Sequence, residues 1–325
     1  MLDPHAFATF CAHGGRVASA RALFGSGDWI DMSTGIAPWA WPATPALSDL
    51  TRLPEPEEIA ALEAAAAAAF GVSDPSNVVA VPGTDLAIRL LAPLVGARSP
   101  GLRTGYAGHH AAWPDARDVE QISAKGLAGC DLLVVASPAN PDGRMADPVA
   151  LCALADAITV VVDEAYADPA PGLAPLASDS LIVLRSFGKF YGLPGLRLGF
   201  VIAGDAVAAK LRGLLGDWPV SSPATSIGTG AYRDGAWRHA QQARIVQAGA
   251  SLDALLVRAG LSIIGNAPLF RLVACSDAHG LFEALARRAI LTRPFAYRTE
   301  HLRIGLPPNA AARIRLANAL EEFTS

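Results

Sequence analysis

The sequence predicts an α/β protein: a large domain on a mostly parallel sheet covered by helices, and a smaller C-terminal α/β domain. Three observations carry this prediction. Short runs rich in Val, Ile and Leu recur through the middle of the chain without polar alternation, which is the pattern of strands buried on both faces. Stretches of helical periodicity separate them, as crossovers between parallel strands require. The polar tetrads PGTD, NPDG, DEAY and SFGK each follow such a run, and ligands of open α/β sheets bind beyond the carboxyl ends of the strands.

The elements follow in chain order. Residues 55–70, EPEEIAALEAAAAAAF, form an Ala-rich amphipathic helix. Val78–Val81 is a buried strand, and after PGTD the stretch LAIRLLAPLV has helical spacing. Asp131–Ala136 is a second strand, ending in SPANPDG, and Pro148–Asp156 is a helix. Ala157–Val162 ends in DEAY, Ser180–Leu184 ends in RSFGK, and Leu198–Ile202 is a fifth strand. The pattern breaks at WPVSSPA, residues 218–224, and a long helix covers Ala236–Leu256. From about residue 258, FRLVA, GLFEALARRA, LRIGL and a final helix from Ala310 alternate again. The division read from this is an N-terminal arm or substrate lid over 1–40, a large domain over 41–220 and a small one over 221–325.

Composition excludes several classes of function. The formal net charge is −4 and charged residues make up 17% of the chain, so no basic face for nucleic acid is expected. The four cysteines have no C-x-x-C spacing and apolar neighbours, which points to reduced core residues. MLDPHAFATF lacks the features of a signal peptide, and the longest apolar run, Ala64–Val72, is too short for a bilayer. A cytoplasmic protein without membrane partners is expected. His109 and His110 have no second His or Cys pair at ligand spacing, so no metal site is expected. His109 reads first as a surface-loop residue, with substrate contact as its other reading.

The chemistry concentrates in SFGKFYGLPGLRLGF, residues 186–200. A lysine that forms a Schiff base must be held in place and lose its proton easily, and Arg197 is a nearby cation that would favour this for Lys189. Ser186 and Arg197 also suit a phosphate, as hydroxyl donor and planar multidentate cation. Gly83, Thr84 and Asp85 open a helix, whose free N–H groups favour an anion; alone they are also a plain helix start. Asn140 alone is a turn residue. Asp163 and Tyr166 after a strand would equally suit a metal or nucleotide site, but the G-x-x-x-x-G-K-[ST] loop is missing.

Together these segments resemble the fold type I pyridoxal-phosphate enzymes of the aminotransferase family, whose large domain carries a seven-stranded sheet. The similarity runs in order from about residue 30 to the C-terminus. It implies a pyridoxal 5'-phosphate cofactor bound as a Schiff base on Lys189, with Gly83, Thr84, Asp85, Ser186 and Arg197 around its phosphate. Tyr106 would stack on the ring, Asp163 would pair with the ring nitrogen, and Asn140 and Tyr166 would reach the phenolic oxygen. Arg303, in LRIGLP, would grip the substrate carboxylate, and Arg293, in LTRPF, would serve a substrate phosphate.

More narrowly, the chain is similar to the branch containing threonine-phosphate decarboxylases and histidinol-phosphate aminotransferases. RLPEPE, WPVSSPA, LTRPF and LRIGLP look most like the decarboxylase of cobalamin biosynthesis. That resemblance implies decarboxylation of O-phospho-L-threonine to (R)-1-amino-2-propanol phosphate, with Lys189, Asp163 and Tyr166 as catalytic residues. The alternative is an aminotransferase acting on histidinol phosphate. A homodimer is implied as well. Two positions depart from the family pattern: Ala37, in DMSTGIAPW, stands where an Asn is expected, and Leu53 stands where many relatives place a Tyr that reaches across the dimer.

Overall fold

The computed structural model describes residues 4–44, 50–103 and 105–324. In chain order the elements begin with α1 (Pro4–Ala12), α2 (Val17–Phe24), β1 (Ile30–Asp31), α3 (Pro56–Phe70), β2 (Val78–Val81), α4 (Thr84–Val95) and β3 (Pro100–Arg103). Next come α5 (Ala107–Ala112), β4 (Arg117–Asp118), β5 (Leu132–Ala136), α6 (Pro148–Ala155), β6 (Thr159–Asp163), β7 (Leu181–Ser186), α7 (Phe187–Phe190) and β8 (Gly199–Ile202). The chain continues through α8 (Asp205–Leu215), α9 (Ser222–Arg233), α10 (Gly235–Arg258), β9 (Ser262–Ala267) and β10 (Phe270–Ala274). It ends with α11 (Ala278–Arg287), β11 (Ile290–Leu291), β12 (Arg293–Pro294), β13 (His301–Gly305) and α12 (Ala310–Thr324).

Two compact units result. One comprises Ala40–Asn140 and Arg144–His239, and the other Met1–Trp39, Pro141–Gly143 and Ala240–Ser325. The first is built on a seven-stranded sheet of order β2-β8-β7-β6-β5-β3-β4. Its neighbours run parallel except around β8, which is antiparallel to both β2 and β7. Every residue of β2, β5 and β8 is buried, which is why these strands read as continuous apolar runs. Helix α4 buries Ala87, Ile88 and Leu91 against the sheet, the helical spacing seen in the sequence.

The strands β3 and β4 went unread in the sequence for a physical reason. β3 is PGLR, with Leu102 as its only large apolar residue, and the two residues of edge strand β4 are exposed. Gly101 is required by close approach, since an added Cβ would lie 2.8 Å from Val119 and 3.0 Å from the Cys130 sulfur. The first unit begins at Ala40, one residue from the expected start of the large domain, and runs past residue 220. Helix α9 packs on α3, where a Cβ at Gly228 would come within 2.6 Å of Leu62, so the first unit extends to His239.

The second unit has a four-stranded antiparallel sheet of order β12-β13-β10-β9 and a parallel pair, β1-β11. Phe10, Phe24 and Phe282 form an aromatic cluster between α1, α2 and α11. Among the described residues no helix is long and apolar enough to cross a membrane.

Candidate active site

PGTD, DEAY and SFGK lie where strands of the first unit end, and Asn140, the first residue of NPDG, follows β5 in the same unit. β2 leads through Pro82 to Gly83, the residue preceding α4. Gly83 has φ 88°, and a Cβ there would stand 2.8 Å from Arg197 Nη2. Glycine is therefore required twice, by the backbone and by the guanidinium beside it. Thr84 and Asp85 occupy the first turn of α4, whose unpaired N–H groups point out of the helix start. Arg197 itself has φ 53°, a left-handed conformation that costs a non-glycine residue energy and concentrates at functional sites.

β7 ends at Ser186, and one helical turn, α7, carries Lys189. The turn is fixed by packing. Phe187 stacks on Tyr191 with centroids 4.4 Å apart, and both are inaccessible to solvent. A Cβ at Gly188 would lie 2.8 Å from Pro194 Cα, so the following loop is pressed onto α7. Lys189 Nζ sits 5.6 Å from the centroid of the Tyr166 ring, and Tyr166 is 7% exposed.

Asp163 closes β6 and is nearly buried. Its Oδ1 accepts the Ala165 N–H at 3.0 Å, and its Oδ2 lies 3.0 Å from His109 Nε2. His109 was expected in a surface loop; that reading is corrected, because α5 folds inward and leaves it with no exposure at all. A signal for it existed: His109 lies three residues after Tyr106, one helical turn away. The Tyr106 hydroxyl donates to Asp85 Oδ1 at 2.7 Å, and its ring meets that of His109 edge-on, with centroids 5.3 Å apart. Burial first, then the hydrogen bond to Asp85 and its charge, push the Tyr106 phenol far above its ordinary value.

Gly83, Thr84, Asp85, Tyr106, Asn140, Asp163, Tyr166, Ser186, Lys189 and Arg197 all line one cavity of about 180 Å³. The cavity thus gathers an amine, a guanidinium, carboxylates, hydroxyls and an amide. Every residue expected around the cofactor is in it.

The two arginines expected for the substrate lie in the second unit. Arg303, on β13, is 4% exposed, lies over the Phe270 ring at 4.8 Å and donates to the Ser33 carbonyl. Arg293 faces it across the strand pair. Its two terminal nitrogens donate to the Phe10 and Ala12 carbonyls, at 2.8 and 2.9 Å. A cation among the last carbonyls of a helix caps it and meets its negative dipole end. Here Arg293 anchors α1. Burial, with the charge of Arg303, brings its guanidinium down to about 10. Ala37 is buried and Leu53 exposed.

Residues 112–320 match the family described as aminotransferase class I and II. A threonine-phosphate decarboxylase of Pseudomonas aeruginosa is 37% identical over 96% of this chain and 97% of that protein. A protein of the same name from a Sinorhizobium species is 39% identical over 95% of this chain and 97% of its own length. Among solved structures, the histidinol-phosphate aminotransferase of Sinorhizobium meliloti in complex with pyridoxal-5'-phosphate superposes with a TM-score of 0.80. It is 22% identical and covers 94% of each chain, a likeness of fold. The chain therefore belongs to the aminotransferase class I and II family.

Proposed function

We propose that the cavity holds pyridoxal 5'-phosphate and that the protein decarboxylates O-phospho-L-threonine, releasing carbon dioxide and (R)-1-amino-2-propanol phosphate, as a cytoplasmic homodimer serving cobalamin synthesis. The donor set fits the cofactor. Arg197, Ser186 and the first turn of α4 would hold the phosphate, in a cradle that a Cβ at Gly83 would fill. Asp163 would face the ring nitrogen with His109 behind it, and Tyr106 would cover the ring. Asn140 and Tyr166 would reach the phenolic oxygen. Lys189 would be the point of covalent attachment.

When bound, the cofactor supplies an electron sink for the pair left behind as a bond to the α-carbon breaks. The protein's part is position and charge. Asp163 would pair with the ring nitrogen, held in place by the Ala165 N–H on Oδ1 and by His109 beside Oδ2. Lys189 would carry at Nζ the proton that returns to the α-carbon. Arg303 would pair with the substrate carboxylate.

One observation carries the choice of reaction: identity of 37% and 39%, over nearly the whole chain, to proteins named threonine-phosphate decarboxylase. The test is carbon dioxide release from O-phospho-L-threonine by the cofactor-loaded protein without any keto acid. Many turnovers with matching aminopropanol phosphate are expected. No carbon dioxide, with histidinol phosphate consumed only when 2-oxoglutarate is added, would move the function to the aminotransferase.

A further inference from the structure

The segment that carries Tyr166 closes two backbone turns of its own, Ala167 N–H to the Glu164 carbonyl and Ala170 N–H to the Ala167 carbonyl, both at 3.0 Å, but has few side chains to pack. After β6 the chain reads EAYADPAPG, in which three alanines, two prolines and a glycine offer few side chains to pack. One guanidinium supplies what the loop lacks. Arg185, on β7 and wholly buried, donates through Nη1 to the Glu164 carboxylate at 3.2 Å and the Pro171 carbonyl at 3.0 Å. Through Nη2 it donates to the Asp168 carboxylate at 2.5 Å and the Ala170 carbonyl at 2.8 Å. All four acceptors belong to the loop.

The bracket is closed from both ends. Glu164 accepts the Leu173 N–H at 2.8 Å, which joins the start of the loop to its finish. A Cβ at Gly172 would lie 2.3 Å from Glu164 Oε2, so the chain passes directly against that carboxylate. The face of the guanidinium rests on Phe70, 4.7 Å from its centroid. Four bonds in one plane to four points of a loop need a rigid planar fork, and lysine offers only a point charge on a flexible stem.

We propose that Arg185, acting through Glu164 and Asp168, is a positioning residue that sets where the Tyr166 hydroxyl stands for the cofactor's phenolic oxygen. The role of that hydroxyl rests on the pyridoxal-phosphate reading above; the bracket itself does not. Arg185 is turned wholly to the loop. It works by denying the loop other conformations.

Two measurements test it. Amide hydrogen exchange in the cofactor-free protein reads the loop directly. Arg185→Lys keeps the charge without the fork, and should speed exchange in 164–173 by about tenfold or more while β6 stays protected. Unchanged exchange in the loop, or an equal rise throughout the sheet, overturns the proposal. In the cofactor-loaded protein, the pH midpoint of the visible band reads the hydroxyl. Withdrawing a donor from the phenolic oxygen raises that midpoint, so Tyr166→Phe and Arg185→Lys should each move it up by about one unit.

The double variant should move it no further than Tyr166→Phe alone; full addition of the two shifts would show that Arg185 acts elsewhere. If Arg185→Lys does not fold, Asp168→Asn keeps the shape with a weaker anchor and should change both readouts in the same directions; no change in either refutes the bracket. A loaded protein with no visible band would sink the cofactor reading, and the exchange result would still decide the role of Arg185.

Discussion

Gly83→Ala tests whether the cavity is built around an anion. At φ 88° and ψ 149° the backbone occupies a region open essentially to glycine, and holding alanine there costs roughly 1–3 kcal/mol. The new Cβ would also lie 2.8 Å from Arg197 Nη2 and 3.3 Å from its Cζ. Ordinary contact begins near 3.5 Å, so the guanidinium must withdraw by roughly 0.7 Å. If that breaks one charge-assisted hydrogen bond to the cofactor phosphate, about 1.5–3 kcal/mol of binding is lost. Affinity for pyridoxal phosphate should then fall roughly 10- to 150-fold. Titration of the cofactor-free protein, followed by its visible band, measures this, and a melting curve measures the strain separately. Gly195→Ala, where nothing lies within 4 Å of the added carbon, should leave both unchanged. A folded Gly83→Ala protein with unaltered affinity would refute the phosphate site.

Four other outcomes are expected. Lys189→Ala should abolish the visible absorption that borohydride otherwise bleaches; an unchanged spectrum would remove the lysine assignment. His109→Ala takes away the buried partner of Asp163 and should lower turnover by about 1.5–3 kcal/mol of barrier with the cofactor still bound, and wild-type turnover would make His109 a packing residue. Tyr106 holds its proton to higher pH in the folded state than in the unfolded one. Its share of stability is therefore whole below about pH 10 and is lost as pH rises further. Melting scans of Tyr106→Phe should show a shallower alkaline decline, with Tyr191 and Tyr232, also raised by burial, supplying the remainder; an identical decline would discount the Asp85 bond. Arg293→Ala should cost about 1–2 kcal/mol in a thermal melt through the freed end of α1. A normal melt with weakened binding of the phosphorylated substrate would return Arg293 to the role the sequence suggested.

The legible parts of this protein are those in which one local pattern answers one physical demand. β5 and β6 are readable because strands covered on both faces must be apolar throughout. SFGK and DEAY are readable because strand ends in such sheets face ligands. Where burial is partial the signal disappears. β4 shows two exposed residues and no pattern at all. The histidine behind Asp163 read first as a surface residue because, although its spacing from Tyr106 puts the two on one face of α5, which face turns inward is decided by where that helix folds.

The sequence by itself determined the fold class and the strand ends that bear chemistry, which follow from neighbours along the chain; its resemblance to the family implied the cofactor residues, all of which line the cavity. Tertiary structure alone decided which acceptors Arg185 and Arg293 meet. Arg185 spends its fork on a loop 14 to 21 residues away, and Arg293 caps a helix more than 280 residues distant in sequence. A guanidinium can serve a phosphate, a carboxylate or a bare carbonyl equally well. Which of them it meets is fixed only when packing brings distant acceptors within about 3 Å.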